Sequence, residues 1–285
     1  MISWPRSLIR EVAARRCVFF LGAGVSASSI DDHGVHPKTW KEFLNEAQSL
    51  IENTQEKTIV KKMIKEKQYL LALQGIHQFA NKSDYKDFLN KNFNNPAYQP
   101  SKLHENIYDL DSRIVITTNF DRIYENYCMT IANSDAYKII NYYSRDLVDE
   151  IRSDSRLIIK AHGSIDDISN MIFTRSQYHM AKRNHSQFYE IIKAIFLTNT
   201  VVFIGCSLTD PDVLLILEEV KISSSSERPH YAIIKKKSMN TLELSDWQNT
   251  FNISALEYGP SYENLLTDLN NLLGQVENER STVIS

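Results

Sequence analysis

At 285 residues, 42% hydrophobic and 24% charged, the chain has enough material to bury one large α/β core with an insertion, and its composition excludes a disordered chain. A formal charge of −3 with scattered basic residues offers no patch able to displace counterions from nucleic acid, so direct DNA binding is disfavoured, and short clusters such as Lys61-Lys62 read as solvated surface. No run approaches membrane-spanning length.

In chain order, Pro5 suits a first helical turn and Leu8, Ile9 and Val12 fall at helical spacing, predicting a helix over 6–15 instead of an apolar signal core. Cys17 to Leu21 reads as the first buried strand. About ninety mostly helical residues follow, with predicted helices at Thr39 to Ile51, Glu56 to Glu66, Tyr69 to Ala80, Tyr85 to Asn90 and Lys102 to Asp109. A crossover between parallel strands needs only a dozen or so, so residues of about 38–110 are expected to form a helical insertion roofing a crevice. Apolar runs at Ile114 to Ile116, Leu157 to Ile159, Val201 to Ile204 and Tyr231 to Ile234 predict further strands covered on both faces, with weaker candidates at Tyr137 to Ile140 and Ile253 to Glu257. Helical spacing recurs at 120–132, 210–221, 241–250 and 261–273, and a smaller helical segment at about 175–198 is expected to close the crevice from the other side. This alternation predicts a doubly wound, mostly parallel sheet within one domain spanning 1–285. Ser223 to Ser226 reads as a loop. The three cysteines, Cys17, Cys128 and Cys206, are far apart and form no Cys-x-x-Cys pair, which excludes a four-cysteine zinc site and suggests core packing in a reducing cytoplasm.

Polar motifs stand where the strands end: Leu21-Gly22-Ala23-Gly24-Val25-Ser26, Thr117-Thr118-Asn119-Phe120-Asp121, Lys160-Ala161-His162-Gly163-Ser164 and Ile204-Gly205-Cys206-Ser207-Leu208. Ligands of open α/β sheets bind beyond the carboxyl ends of the strands, so the four motifs imply one shared crevice for a dinucleotide. Four of only 8 glycines, Gly22, Gly24, Gly163 and Gly205, fall in them. Gly22 to Ala27 fits a G-x-G-x-x-A phosphate fingerprint, or else a plain strand-to-helix turn. The acidic residue that a nicotinamide dehydrogenase wants about twenty residues later is missing, since that distance falls in the helix around Trp40. Asn119 either caps a helix starting near Phe120 or orients a water or a ribose hydroxyl. His162 is either a satisfied core histidine or a proton acceptor facing the crevice. Of the other histidines, His33, His36, His185 and His230 read as surface residues, and His77 and His104 sit in helical patterns. Asp210 before Pro211 reads as a helix cap, leaving Gly205 and Ser207 as candidates to meet a ribose.

In this order and placement, G-A-G-x-S, T-x-N-x-D, H-G and G-x-S resemble the sirtuin family, and more closely its bacterial antiviral-defence NAD hydrolase branch, over roughly residues 15–275. Trp40 with Phe43-Leu44, Phe173-Thr174 with Tyr178, and Leu208-Thr209-Asp210-Pro211 support that branch. The resemblance implies a Rossmann-like fold in which Gly22, Ala23, Gly24 and Ser26 hold the diphosphate and Asp121 the nicotinamide carboxamide. It implies that Asn119 and His162 flank the nicotinamide ribose, that Thr117 and Gly163 belong to the binding site, and that Gly205 and Ser207 contact the adenosine side. Protein-deacetylating sirtuins carry a four-cysteine zinc module and a Pro-x-Phe-Arg segment that this chain lacks, so water is the expected acceptor of ADP-ribose, NAD is substrate and no cofactor or zinc is expected. The resemblance also implies homo-oligomers and a separately encoded partner such as a HerA-type ATPase or a short Argonaute, acting in abortive infection. The alternatives are a non-catalytic NAD or ADP-ribose sensor, and a protein deacylase or ADP-ribosyltransferase.

Overall fold

The structure, a computed structural model, describes residues 1–94, 98–131, 137–207, 213–214, 216–218 and 228–284. The Leu208-Thr209-Asp210-Pro211 segment, the loop at 223–226 and much of the helix expected at 210–221 lie outside them.

Seven short strands form the sheet: β1 (Cys17–Leu21), β2 (Ile114–Thr117), β3 (Lys138–Asn141), β4 (Leu157–Lys160), β5 (Thr200–Ile204), β6 (His230–Lys235) and β7 (Ile253–Tyr258). Their order is β3-β4-β2-β1-β5-β6-β7 and every neighbouring pair is parallel. Parallel strands must be covered on both faces, which is why β1, β2 and β4 are buried throughout. Val18 and Phe20 face one core with Ile116, Ile159 and Phe203, while Cys17, Phe19 and Leu21 face the other with Val115, Ile158 and Val202. The first core is closed by α9 (Leu147–Arg152), α10 (Arg175–Asn184), α11 (Ser186–Thr198) and α12 (Thr241–Phe251). The second is closed by α1 (Arg6–Ala13), α7 (Lys102–Asp109), α8 (Ile123–Ile131) and α13 (Tyr262–Ile284). Helices on both faces make the sheet doubly wound, as the alternation of runs predicts.

Between β1 and β2 lie a short α2 (Ala23–Ser26) and then α3 (Trp40–Ala47), α4 (Thr54–Lys65), α5 (Tyr69–Phe79) and α6 (Lys82–Phe93) before α7. Helices α3 to α6 build a third core of their own around Phe43, Leu44, Ile76 and Phe88, which reaches the sheet edge through Phe120, after β2, and Ile165, Met171 and Phe173, after β4. In a glycine-poor chain these helices are started by side chains. Thr39 with Glu42 and Ser101 with His104 form reciprocal capping boxes, as do Thr174 with Gln177 and Asn240 with Glu243.

Several elements differ from the sequence expectation. The segment at 175–198 is two helices broken at His185, where ψ rises to 41°. The last helix runs to Ile284, well past 273, because Leu265, Leu269, Leu272 and Val276 continue an apolar stripe against α1. The two weak strand candidates are real and form the sheet edges β3 and β7, where partial exposure dilutes the apolar signal. His230 is buried, not a surface residue: β6 begins there, and its Nδ1 accepts the Val201 N–H at 3.1 Å.

Candidate functional site

The chain order reverses at β1. Strands β2, β4 and β3 lie on one side of it and β5, β6 and β7 on the other, so the loops after β1 and β5 part at a topological switch point where ligands of open sheets bind. Here the two loops touch backbone to backbone. The Gly22 N–H donates to Ile204 O at 3.0 Å and the Gly24 N–H to Gly205 O at 2.9 Å. A Cβ on Gly22 would lie 2.6 Å from Gly205 O, and one on Gly24 2.8 Å from Gly205 Cα. Gly205 has a φ of +66°, and its Cβ would lie 2.5 Å from the backbone nitrogen of Val25. The glycines of the first and fourth motifs thus serve each other as packing partners. Ala23 and Gly24 remain exposed at the crevice, as does Ser207 at the end of its described stretch.

On the other side of β1, a chain of hydrogen bonds gathers the second motif. The Thr117 hydroxyl donates to Leu21 O at 3.0 Å and accepts the Asn119 N–H at 3.0 Å, so this buried side chain fastens the loop. Asn119 Nδ2 donates to Gly22 O at 3.0 Å and to Ser26 Oγ at 2.9 Å. A carbonyl oxygen can only accept, so Gly22 fixes which end of the amide faces it. With both amide hydrogens committed, Asn119 presents Oδ1, a neutral acceptor. Ser26 Oγ donates to Asp121 Oδ2 at 2.7 Å, and Asp121 Oδ1 accepts the Ile123 N–H at 3.0 Å. Asp121, and not Asn119, therefore caps α8, which starts at Ile123.

Behind this loop lies a pair that sequence reasoning missed. Lys160, at the end of β4, donates to Asp121 O at 2.6 Å and forms an ion pair with Glu125 of α8. Their side chains are 1% and 3% exposed. Burial raises the Glu125 carboxyl, and the neighbouring ammonium opposes that rise. The available signal was a lysine ending an otherwise apolar run and a glutamate flanked by Tyr124 and Cys128 positions that face the core.

His162 is buried and packs edge to face on Tyr178, with ring centroids 5.1 Å apart. It lines a cavity of about 20 Å³ with Phe20, Ile116 and Ala161, room for about one water. Asn119 does not line that cavity. The two residues are nonetheless equivalent in position: Thr117 pairs with Lys160 in the parallel register, and each lies two residues past its member of that pair. Gly163 is held by packing, since its Cβ would lie 2.5 Å from Asn170 O. Among the described residues, no group of three or more His, Cys, Asp or Glu could hold a metal. No described helix is long and apolar enough to cross a membrane.

A doubly wound parallel sheet whose glycine and amide loops meet at the switch point defines a Rossmann-like α/β protein. Within that class the chain belongs to the SIR2-like domain family, whose model matches residues 113–256, half of the chain. It is similar to the NAD(+) hydrolase ThsA of Enterococcus faecium, 30% identical over 141 residues, which are 48% of this chain and 28% of the relative. It is also similar to the NAD(+) hydrolase ThsA of Cytobacillus dafuensis, 25% identical over 82% of this chain and 44% of the relative. Defense-associated sirtuin 2 of Bacillus subtilis is 24% identical over 72% of this chain and 19% of its own length. The chain spans less than half the length of each of these relatives.

Proposed function

We propose that the chain hydrolyses the N-glycosidic bond of NAD to nicotinamide and ADP-ribose, in the service of anti-phage defence. The observation that carries this reading is the Asn119 amide, whose two hydrogens are bound to Gly22 O and Ser26 Oγ so that Oδ1 is left to accept a hydrogen bond from water. The names of the relatives support the same chemistry. As the bond from ribose C1′ to the pyridinium nitrogen breaks, its electron pair leaves with nicotinamide and the ribose gains oxocarbenium character. Water held by Asn119 Oδ1 forms the new bond to C1′ and gives its proton to His162, which passes it to solvent.

The roles of the remaining residues follow the family resemblance. Gly22, Ala23, Gly24 and Ser26 line the diphosphate position, Asp121 the carboxamide, and Gly205 and Ser207 the adenosine side, with Thr117 and Gly163 shaping the loops that carry them. Residues 1–285 act as one catalytic unit in a homo-oligomer. By the family resemblance, the sensing of infection belongs to a separately encoded partner such as a HerA-type ATPase or a short Argonaute.

The test is chromatographic analysis of NAD breakdown by the chain alone and with its genomic neighbour. His162→Ala should lower turnover by about 10²–10⁴-fold, the range of a general acid or base, and Asn119→Ala by at least as much. Parent rates in both variants would overturn the assignment. NAD bound but intact after prolonged incubation would point to a sensor, and a labelled or deacylated protein acceptor to a transferase or deacylase.

A further inference from the structure

We infer that Lys160 is a positioning residue for the proposed hydrolysis, holding the Asn119 loop in register from beneath through the main-chain oxygen of Asp121. The inference rests on the function proposed above.

The loop from 118 to 122 has no regular structure and is held by individual tethers. The Thr118 N–H donates to Leu21 O, the Asn119 N–H to Thr117 Oγ1, and Phe120 O accepts the Ile165 N–H. Asp121 is held at both ends, its carboxylate by Ser26 Oγ and the Ile123 N–H and its carbonyl by Lys160 Nζ. The Lys160 contact is charge-assisted, as are the two bonds accepted by the Asp121 carboxylate, and bonds with an ionised partner are roughly twice as strong as neutral ones. Ser26 Oγ is shared between Asp121 and Asn119, so a shift of Asp121 displaces the acceptor that orients the Asn119 amide.

Stability alone does not account for the pair. Taking two charges out of water costs several kcal/mol per ion, and apolar replacements of similar volume are often neutral or stabilising. An apolar residue at 160 would pack as its neighbours Ile158 and Ile159 do, but it could not reach across the sheet edge to a carbonyl. Glu125 makes the buried ammonium tolerable and cancels its charge, so what remains to Lys160 is placement and not field.

The experiment compares Lys160→Met, Glu125→Gln and the double variant Lys160→Met/Glu125→Leu by NAD turnover, melting temperature and amide hydrogen exchange. Lys160→Met should lower kcat about 10- to 100-fold while KM changes less than about threefold, since a displacement of order 1 Å at a positioning contact has effects of that size. Glu125→Gln keeps an oxygen for Nζ and leaves the Asp121 contact in place, so it should melt lower than the parent while kcat falls less than about threefold. Exchange at the amides of 119–123 should quicken at least about tenfold in Lys160→Met and little in Glu125→Gln. Should Lys160→Met fail to fold, the double variant, with no buried charge, carries the test with the same expected loss of kcat. Parental kcat or parental exchange in the folded lysine variant would overturn the inference, as would losses of kcat that simply track the melting temperatures of both single variants. If the parent itself leaves NAD intact, the proposed function fails, and the exchange measurement alone decides whether Lys160 positions the loop.

Discussion

Substituting Gly205 by alanine should destabilise the protein far more than the same change at Gly34, although both residues are left-handed. Gly34, with φ +75°, has nothing within 4 Å of the place an added methyl group would take, so Gly34→Ala meets only the backbone penalty of about 1–2 kcal/mol. Gly205, with φ +66°, meets that penalty and a clash at 2.5 Å with the backbone nitrogen of Val25, which cannot rotate away as a side chain can. Overpacking of this kind adds about 1–3 kcal/mol, for a total of about 2–5 kcal/mol. At about 2–4 °C per kcal/mol, melting should fall by roughly 4–20 °C for Gly205→Ala and roughly 2–8 °C for Gly34→Ala. The entropy that alanine removes from the unfolded chain is common to both variants and cancels. Gly274, in the middle of α13 with open space around it, gives the opposite sign: Gly274→Ala should stabilise by up to about 1 kcal/mol. Scanning calorimetry of the three variants checks the set. Gly205→Ala melting within about 2 °C of Gly34→Ala would refute the claim that the loops after β1 and β5 are packed backbone to backbone.

The buried imidazoles of His104 and His230 are both pushed down to about 4 by desolvation. The unfolded chain takes up their protons as pH falls through about 6.5 while the folded chain does not until about 4, so the stability they contribute is complete above pH 6.5 and is lost across that interval. His104→Gln keeps the capping box with Ser101 and removes one of these titrations. Urea unfolding should then show about 2 kcal/mol less stability lost between pH 7 and pH 5 than in the parent, and an unchanged pH dependence would count against a buried neutral His104. Phe173→Ala removes a ring that touches Phe43, Phe93 and Phe120 and should cost about 3–5 kcal/mol, with limited proteolysis within 38–110 quickening first; cutting that starts elsewhere would show that these helices are held by other contacts.

The strands were legible because a parallel sheet buried on both faces leaves uninterrupted apolar runs, and the motifs were legible because each follows such a run. What the sequence could not display were contacts between distant segments. The fingerprint of Gly22 and Gly24 does not show that an added Cβ on either would meet Gly205, nearly two hundred residues away. The sequence shows Thr117 ending a strand, and not that its hydroxyl meets the carbonyl of Leu21 on the adjacent strand. Lys160 looked like the polar end of a strand, and only the arrival of α8 against β4 supplies the glutamate that lets it stay buried. His230 is buried although nothing local marks where the covered part of β6 begins.

Phe120 sits between Asn119 and Asp121 with its ring 4.1 Å, centroid to centroid, from that of Phe173, which in turn meets the aromatic side chains Phe43 and Phe93 of the inserted helices. The loop after β2 and those helices are therefore a single mechanical unit. A chimaera that grafted the 38–110 helices of a relative onto this sheet would have to bring matching rings for residues 120 and 173, or the loop bearing the amide would settle in a new place.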